Sequence, residues 1–153
     1  MKIPIRPNPF LKEIRGSFTL SKTYADAAIG NGFKNKRYEL IGLSEIYMDF
    51  AGCFNRGHRI HKQLARLEAG KKVAFHLNNS GIEIHDADGC CVSRLSQEGT
   101  DKWSRRADQI GELRVVALLK RERDDPAEGF QDRIRVDQWE LPVLEAVYTP
   151  INN

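Results

Sequence analysis

Between Val73 and Leu95 the chain runs in short alternating segments separated by two clusters of turn residues, and few folds accommodate that pattern. Val73, Phe75 and Leu77 alternate with polar or small neighbours, and Asn78-Asn79-Ser80-Gly81 follows. Ile82 and Ile84 alternate with Glu83 and His85, Asp86-Ala87-Asp88-Gly89 follows, and Val92 and Leu95 belong to the next run. A period of two puts the apolar side chains on one face of a strand, and Asn, Asp and Gly supply the backbone conformations that tight turns need. The pattern predicts a three-stranded antiparallel meander. Its exposed edges have to be hidden, and a small, partly closed β-barrel does so.

The flanks extend this reading. Tyr38, Leu40 and Ile41, then Ile46, Tyr47, Met48 and Phe50, predict one strand, or two short ones interrupted near Gly42. Ile60, Leu64 and Leu67 recur at helical spacing, which predicts an amphipathic helix from about Arg59 to Glu68, stopped by Gly70. Ser96 is a candidate cap for a helix from Gln97 to about Arg106. Two long strands, about Glu112 to Arg123 and Asp132 to Tyr148, close the domain around an exposed acidic loop, Asp124 to Gly129. Pro142 marks an edge or bulge in the second of them.

The fold class expected is mainly β (α+β): a small antiparallel, partly closed barrel with two short helices, spanning residues 37–153. Residues 1–36 read as an extended N-terminal arm, because Pro4, Pro7 and Pro9 favour extended backbone and Gly30-Asn31-Gly32 punctuates its end. Within the arm, Leu20 to Ile29 suits a short helix capped by Ser21.

With 41% hydrophobic and 29% charged residues, the chain has apolar material for a core without metal or disulfide staples. Cys53, Cys90 and Cys91 form an odd set with two adjacent members, a poor disulfide framework. No apolar run spans a bilayer, and the N-terminal residues lack the apolar stretch of a signal peptide, so a cytoplasmic protein without membrane partners is expected.

Formal net charge is only +3, yet the cations cluster. Six Lys or Arg stand against one acid from Phe54 to Lys72, and seven against three acids from Lys102 to Arg123. Such clusters suit polyanions, through phosphate contacts and counterion release, and equally suit a solvated surface laced with salt bridges.

The order of elements resembles the HIRAN domain. Phe50-Ala51-Gly52-Cys53-Phe54, the helix ending Leu67-Glu68-Ala69-Gly70, and Ile82-Glu83-Ile84-His85-Asp86-Ala87-Asp88-Gly89-Cys90-Cys91-Val92-Ser93-Arg94-Leu95 carry the likeness. Trp103 to Arg106, Val115, Ala117 to Arg121 and Trp139 to Pro142 also look like accessory modules at the ends of RecQ-type helicases. The resemblance covers about residues 38 to 148. It implies a small barrel that grips single-stranded DNA near a 3′ end, beside a helicase or nuclease, in DNA repair or defence. The family's pocket segment is altered here: Leu77 to Ile82 lacks its Pro, Asp and Ala, and Ser93 replaces a glycine.

Carried over, the resemblance implies that Phe54, Asn55 and Arg56 approach nucleic acid, with Arg59 and Lys62 beyond them. The positive clusters add Lys71 and Lys72, on the following strand, to the expected basic groove. An aromatic with flanking cations serves single-strand binding, because stacking accepts any base while cations track phosphates. Phe54 equally reads as a core residue at the start of the helix. Trp103 and Trp139 divide in the same way between stacking platforms and core.

No catalytic motif is present: Gly70-Lys71-Lys72 lacks the spacing and hydroxyl of a phosphate-binding loop, and there is no G-x-S-x-G or H-E-x-x-H. His58 and His61 have the spacing of a one-face zinc pair, but no C-x-x-C supports them, and neither a metal nor a small-molecule cofactor is expected. Of Cys90 and Cys91, neighbours on opposite strand faces, one is expected in the core and the other outside it. Asp86 with Asp88 and Asp124 with Asp125 read as turn formers. The expectation is a non-catalytic nucleic-acid-binding module; the alternative is a protein–protein interaction module using a sheet edge or the Pro-rich arm.

Overall fold

The computed structural model describes the backbone of Glu13–Arg15 and residues 35–150. The expected helix within Leu20 to Ile29 and the extended Pro-rich segment lie outside the described residues. The strands are β1 (Glu13–Arg15), β2 (Arg37–Leu40), β3 (Lys72–Asn78), β4 (Gly81–His85), β5 (Cys91–Arg94), β6 (Ile110–Glu122) and β7 (Gln138–Tyr148). The α-helices are α1 (Arg59–Arg66) and α2 (Gln97–Ser104).

All strand pairings are antiparallel, in the order β2-β7-β6-β3-β4-β5, with β1 paired to β6. The meander forms as the alternation and turns predict: Phe75 opposes Ile84, His76 opposes Glu83, and Glu83 opposes Arg94. Asp86 Oδ1 accepts the N–H groups of Asp88 and Cys90, so this aspartate shapes its turn. At the other bend Asn78 Oδ1 accepts the N–H of Ser80. The link from meander to long strands is narrow. β3 meets β6 only at Lys72 opposite Arg114 and Val73 opposite Leu113, then leaves to follow β4.

Pro142 sits where a proline is tolerated. Among the described residues β2 pairs with β7 from Glu145 to Tyr148, and Ile41 donates its N–H to Leu144 O, so Pro142 lies beyond that pairing, and the β6–β7 ladder shifts register between Val115 and Ala117.

Three expectations are corrected. Ile46 to Phe50 do not form a second strand: after β2 comes a 3-10 turn at Leu43–Glu45, then a single bridge between Ile46 and Leu95, then another turn at Ala51–Cys53. A short apolar run states burial, not conformation, and here it packs as loop. The last strand starts at Gln138, not Asp132, because Glu128–Arg133 coils as a 3-10 helix and buries Ile134 and Val136 from irregular backbone. Both helices end early, at Arg66 and Ser104. Gly70, at φ +94°, turns the chain into β3 and donates its N–H to Val115 O.

The core lies between the sheet and the two helices. Ile60 and Leu64 of α1 and Trp103 of α2 pack with Ile82, Ile84, Val92, Leu118, Trp139 and Leu144. Trp103 and Trp139 are 0% and 2% exposed, so burial excludes them as stacking platforms. Their indole N–H groups are satisfied inside, by Glu45 Oε1 at 2.6 Å and Met48 O at 3.0 Å. Among the described residues no helix is long and apolar enough to cross a membrane.

Candidate nucleic-acid interface

The loop before α1 is set by its own side chains. His58 Nδ1 accepts the N–H of Ile60 and so caps the helix, while His61 Nε2 contacts Phe54 O at 3.0 Å. Each of these histidines therefore has a structural partner, and the zinc reading of the pair loses its support. Phe54 is half-buried, 5.1 Å edge-on from Phe50 and 4.5 Å from the His58 ring. It packs against the core, which favours the second of its two readings.

The predicted residues do not form one patch. Asn55, Arg56, Arg59 and Lys62 are exposed around the start and outer side of α1. Lys71 and Lys72 emerge beyond the far end of an eight-residue helix, a span of roughly 12 Å at 1.5 Å per residue. There Lys72 pairs with Glu112 at 3.5 Å and borders a different groove, between the splaying strands β3 and β6.

Arg56 instead meets residues remote in sequence. With His61 it lines a cleft of about 580 Å³, whose other walls are Arg123, at the end of β6, and Arg135 to Gln138, leading into β7. Arg135 donates its N–H to Gly52 O at 2.8 Å, and this bond draws the 134–138 segment against the loop before α1. Asp137 is the acid of the lining, 3.3 Å from Arg123 Nε, so three guanidinium groups and an imidazole share the cleft with one carboxylate.

The preceding segment, Glu128–Arg133, carries an aromatic. Phe130 is 54% exposed, and the Arg133 guanidinium lies 5.6 Å from its ring centre. Phe130 and Arg133 border a second hollow with Tyr47, Met48 and Cys53. Burial raises the Tyr47 phenol above its ordinary range, helped by the Cys53 thiol and opposed by Arg133. An exposed aromatic beside an arginine has the chemistry that half-buried Phe54 lacks.

Sequence reasoning missed Arg133 and Arg135 because it read the 132–148 stretch as strand, and it missed Phe130 because that residue falls between the expected acidic loop and the expected strand with no local signal of exposure. Arg123 stood in the second basic cluster, with no signal that it faces the first.

A separate group sits on the β3–β4 hairpin. His76, Glu83 and His85 bring their donor atoms within 4.8 Å of one another. Cys90 and Cys91 are both half-buried, contrary to the expected division, and all three cysteines are free thiols. Burial raises the Cys91 thiol to about 11, with Glu83 adding to the effect. No family model, curated protein or solved structure matches this chain.

Proposed function

We propose that this chain is a non-catalytic nucleic-acid-binding module that takes single-stranded DNA or DNA ends in the cleft between α1 and the β6–β7 loop. The observation that carries the reading is the convergence of Arg56, Arg123 and Arg135 on one cleft, with exposed Phe130 on the neighbouring segment. Phosphates crossing the cleft meet the three guanidinium groups, and an unstacked base lies on the Phe130 ring. Arg59 and Lys62 extend the positive field along α1. Asp137 already satisfies part of Arg123, so Arg56 and Arg135 carry the larger share of phosphate binding.

The resemblance to the HIRAN domain supports the choice of DNA and of a helicase or nuclease as working partner. It also supports reading the sheet as a partly closed barrel. In that reading the Ile46–Leu95 bridge ties the chain leaving β2, at one end of the strand order, to the end of β5, at the other.

The test is fluorescence anisotropy with labelled single-stranded, double-stranded and 3′-tailed DNA at two salt concentrations. Binding favours a free single strand and weakens with salt. Arg56→Ala/Arg123→Ala/Arg135→Ala lowers the salt slope by about 2, at roughly 0.7 for each single-strand phosphate that the chain no longer neutralises. Phe130→Ala weakens binding by about 1–3 kcal/mol, the worth of one stacked base. Lys71→Ala/Lys72→Ala, at the far end of α1, has the smaller effect. Absence of binding at low salt, or a triple variant with unchanged affinity and slope, refutes the proposal and turns the search to protein partners at the sheet edges.

A further inference from the structure

We propose that His76, Glu83 and His85 form a binding site for one divalent late transition metal ion, with zinc the best match. The proposal is independent of nucleic-acid binding and reverses the expectation, drawn from sequence spacing, that the chain holds no metal.

Strand register brings the three residues together. His76 on β3 lies directly opposite Glu83 on β4, and His85 is two residues beyond Glu83 on the same face. Directly opposed residues of an antiparallel pair have Cβ atoms about 5 Å apart, within reach of two side chains meeting at one ion. The donor atoms are already close. His85 Nε2 is 2.9 Å from Glu83 Oε1, whereas the His76 and His85 rings stack with centroids 4.5 Å apart and planes 13° from parallel, so one ring has to turn out of the stack to aim its in-plane lone pair at a shared ion.

All three donor atoms lie within 4.8 Å of one another. Zinc takes nitrogen and oxygen ligands at about 2.0–2.2 Å, so drawing the three donors around one ion requires each to move by less than about 1 Å. Side-chain rotation supplies that movement without disturbing the hairpin, whose five paired positions and Asn78–Gly81 turn hold the backbone.

The donor set selects the ion. Two imidazoles and one carboxylate suit zinc and its late first-row neighbours, whereas calcium and magnesium prefer oxygen throughout. Three protein ligands leave a coordination position, and His76 is exposed while Glu83 and His85 are half-buried, so that position opens to solvent. A water or another small oxygen donor completes the shell. Without an ion, the group is an exposed hairpin bearing a His85–Glu83 pair and a stacked imidazole, an arrangement of small worth to stability. Cys91, opposite His85 on β5, donates its Sγ–H to Ser93 O and stands outside the three-donor set.

The experiment uses the full chain without an affinity tag and titrates it calorimetrically with zinc chloride, then with cobalt chloride. Cobalt's visible absorption reports coordination number and ligand type. One ion binds per chain with a micromolar or lower dissociation constant. His76→Ala, Glu83→Gln and His85→Ala each weaken binding by more than about tenfold, since loss of even an outer-shell partner costs 10–100-fold. His58→Asn, which keeps a capping side chain at α1, leaves binding unchanged. Circular dichroism confirms that each variant is folded. Saturable binding that survives all three substitutions, binding lost in His58→Asn, or no binding below millimolar zinc overturns the proposal.

Discussion

Gly99 is the third residue of α2, and helix propensity alone makes Gly99→Ala stabilising by about 1 kcal/mol. The tertiary structure reverses the sign. A Cβ at this position would stand 1.9 Å from the carbonyl oxygen of Glu45, 2.8 Å from its carbonyl carbon and 3.0 Å from its Cα. These are backbone atoms, so no side-chain rotation relieves the clash, and α2 has to move away from the Leu43–Glu45 turn by more than about 1 Å.

That movement strains the contacts joining the two elements: Ser96 N–H to Glu45 O at 2.9 Å, Ser96 Oγ–H to Ser44 O at 2.7 Å, and Trp103 Nε1–H to Glu45 Oε1 at 2.6 Å. Overpacking costs about 1–3 kcal/mol and each weakened hydrogen bond up to about 1. Against the propensity gain, the net effect is a loss of about 3 kcal/mol. For a chain of this size that lowers the melting temperature by about 10 °C, at roughly 2–4 °C per kcal/mol. Urea unfolding followed by tryptophan fluorescence and circular dichroism measures it. Gly57→Ala is the control: a Cβ there has nothing within 4 Å, and the effect stays within about 0.5 kcal/mol. A Gly99→Ala chain as stable as the parent, or more so, refutes the close approach of α2 to the turn.

Two further predictions concern buried or half-buried polar groups. Glu145 is 2% exposed and pairs with Arg114 at 2.7 Å, so Arg114→Met strands a buried carboxylate and costs about 3 kcal/mol, much of which Arg114→Met/Glu145→Leu recovers in a denaturation double-mutant cycle. The raised Tyr47 phenol keeps its proton in the folded chain at pH values where the unfolded chain ionises, so its contribution to stability is present below pH 10 and is lost as pH rises beyond it. Phenolate absorbance of the parent chain and Tyr47→Phe, read against alkaline unfolding, checks this; a Tyr47 that titrates at or below pH 10 contradicts the assignment.

The legible parts of the fold were those encoded by neighbours in the chain. The meander followed from alternation and two turn clusters, the start of α2 from Ser96, whose Oγ accepts the Gly99 N–H, and α1 from the spacing of Ile60 and Leu64. Residues 46 to 50 and 132 to 137 were misread because apolar content reports burial equally for strand and packed loop. The candidate cleft was half legible. Arg56 carried a local signal, but Arg123 and Arg135 join it through β6–β7 pairing and the Arg135–Gly52 hydrogen bond.

By itself, then, the sequence was enough for the two meander hairpins, the Ser96 cap and the local clusters of positive charge, since each depends on residues within a few positions of one another. The tertiary structure alone decided that β7 lies between β2 and β6, that Gly99 meets Glu45, and that Gly52 leaves room for the Trp139 ring. It also decided which cations share a cleft and which histidines share a face with Glu83. Those arrangements join residues distant in the chain, and their stability comes from packing and burial that local spacing does not encode.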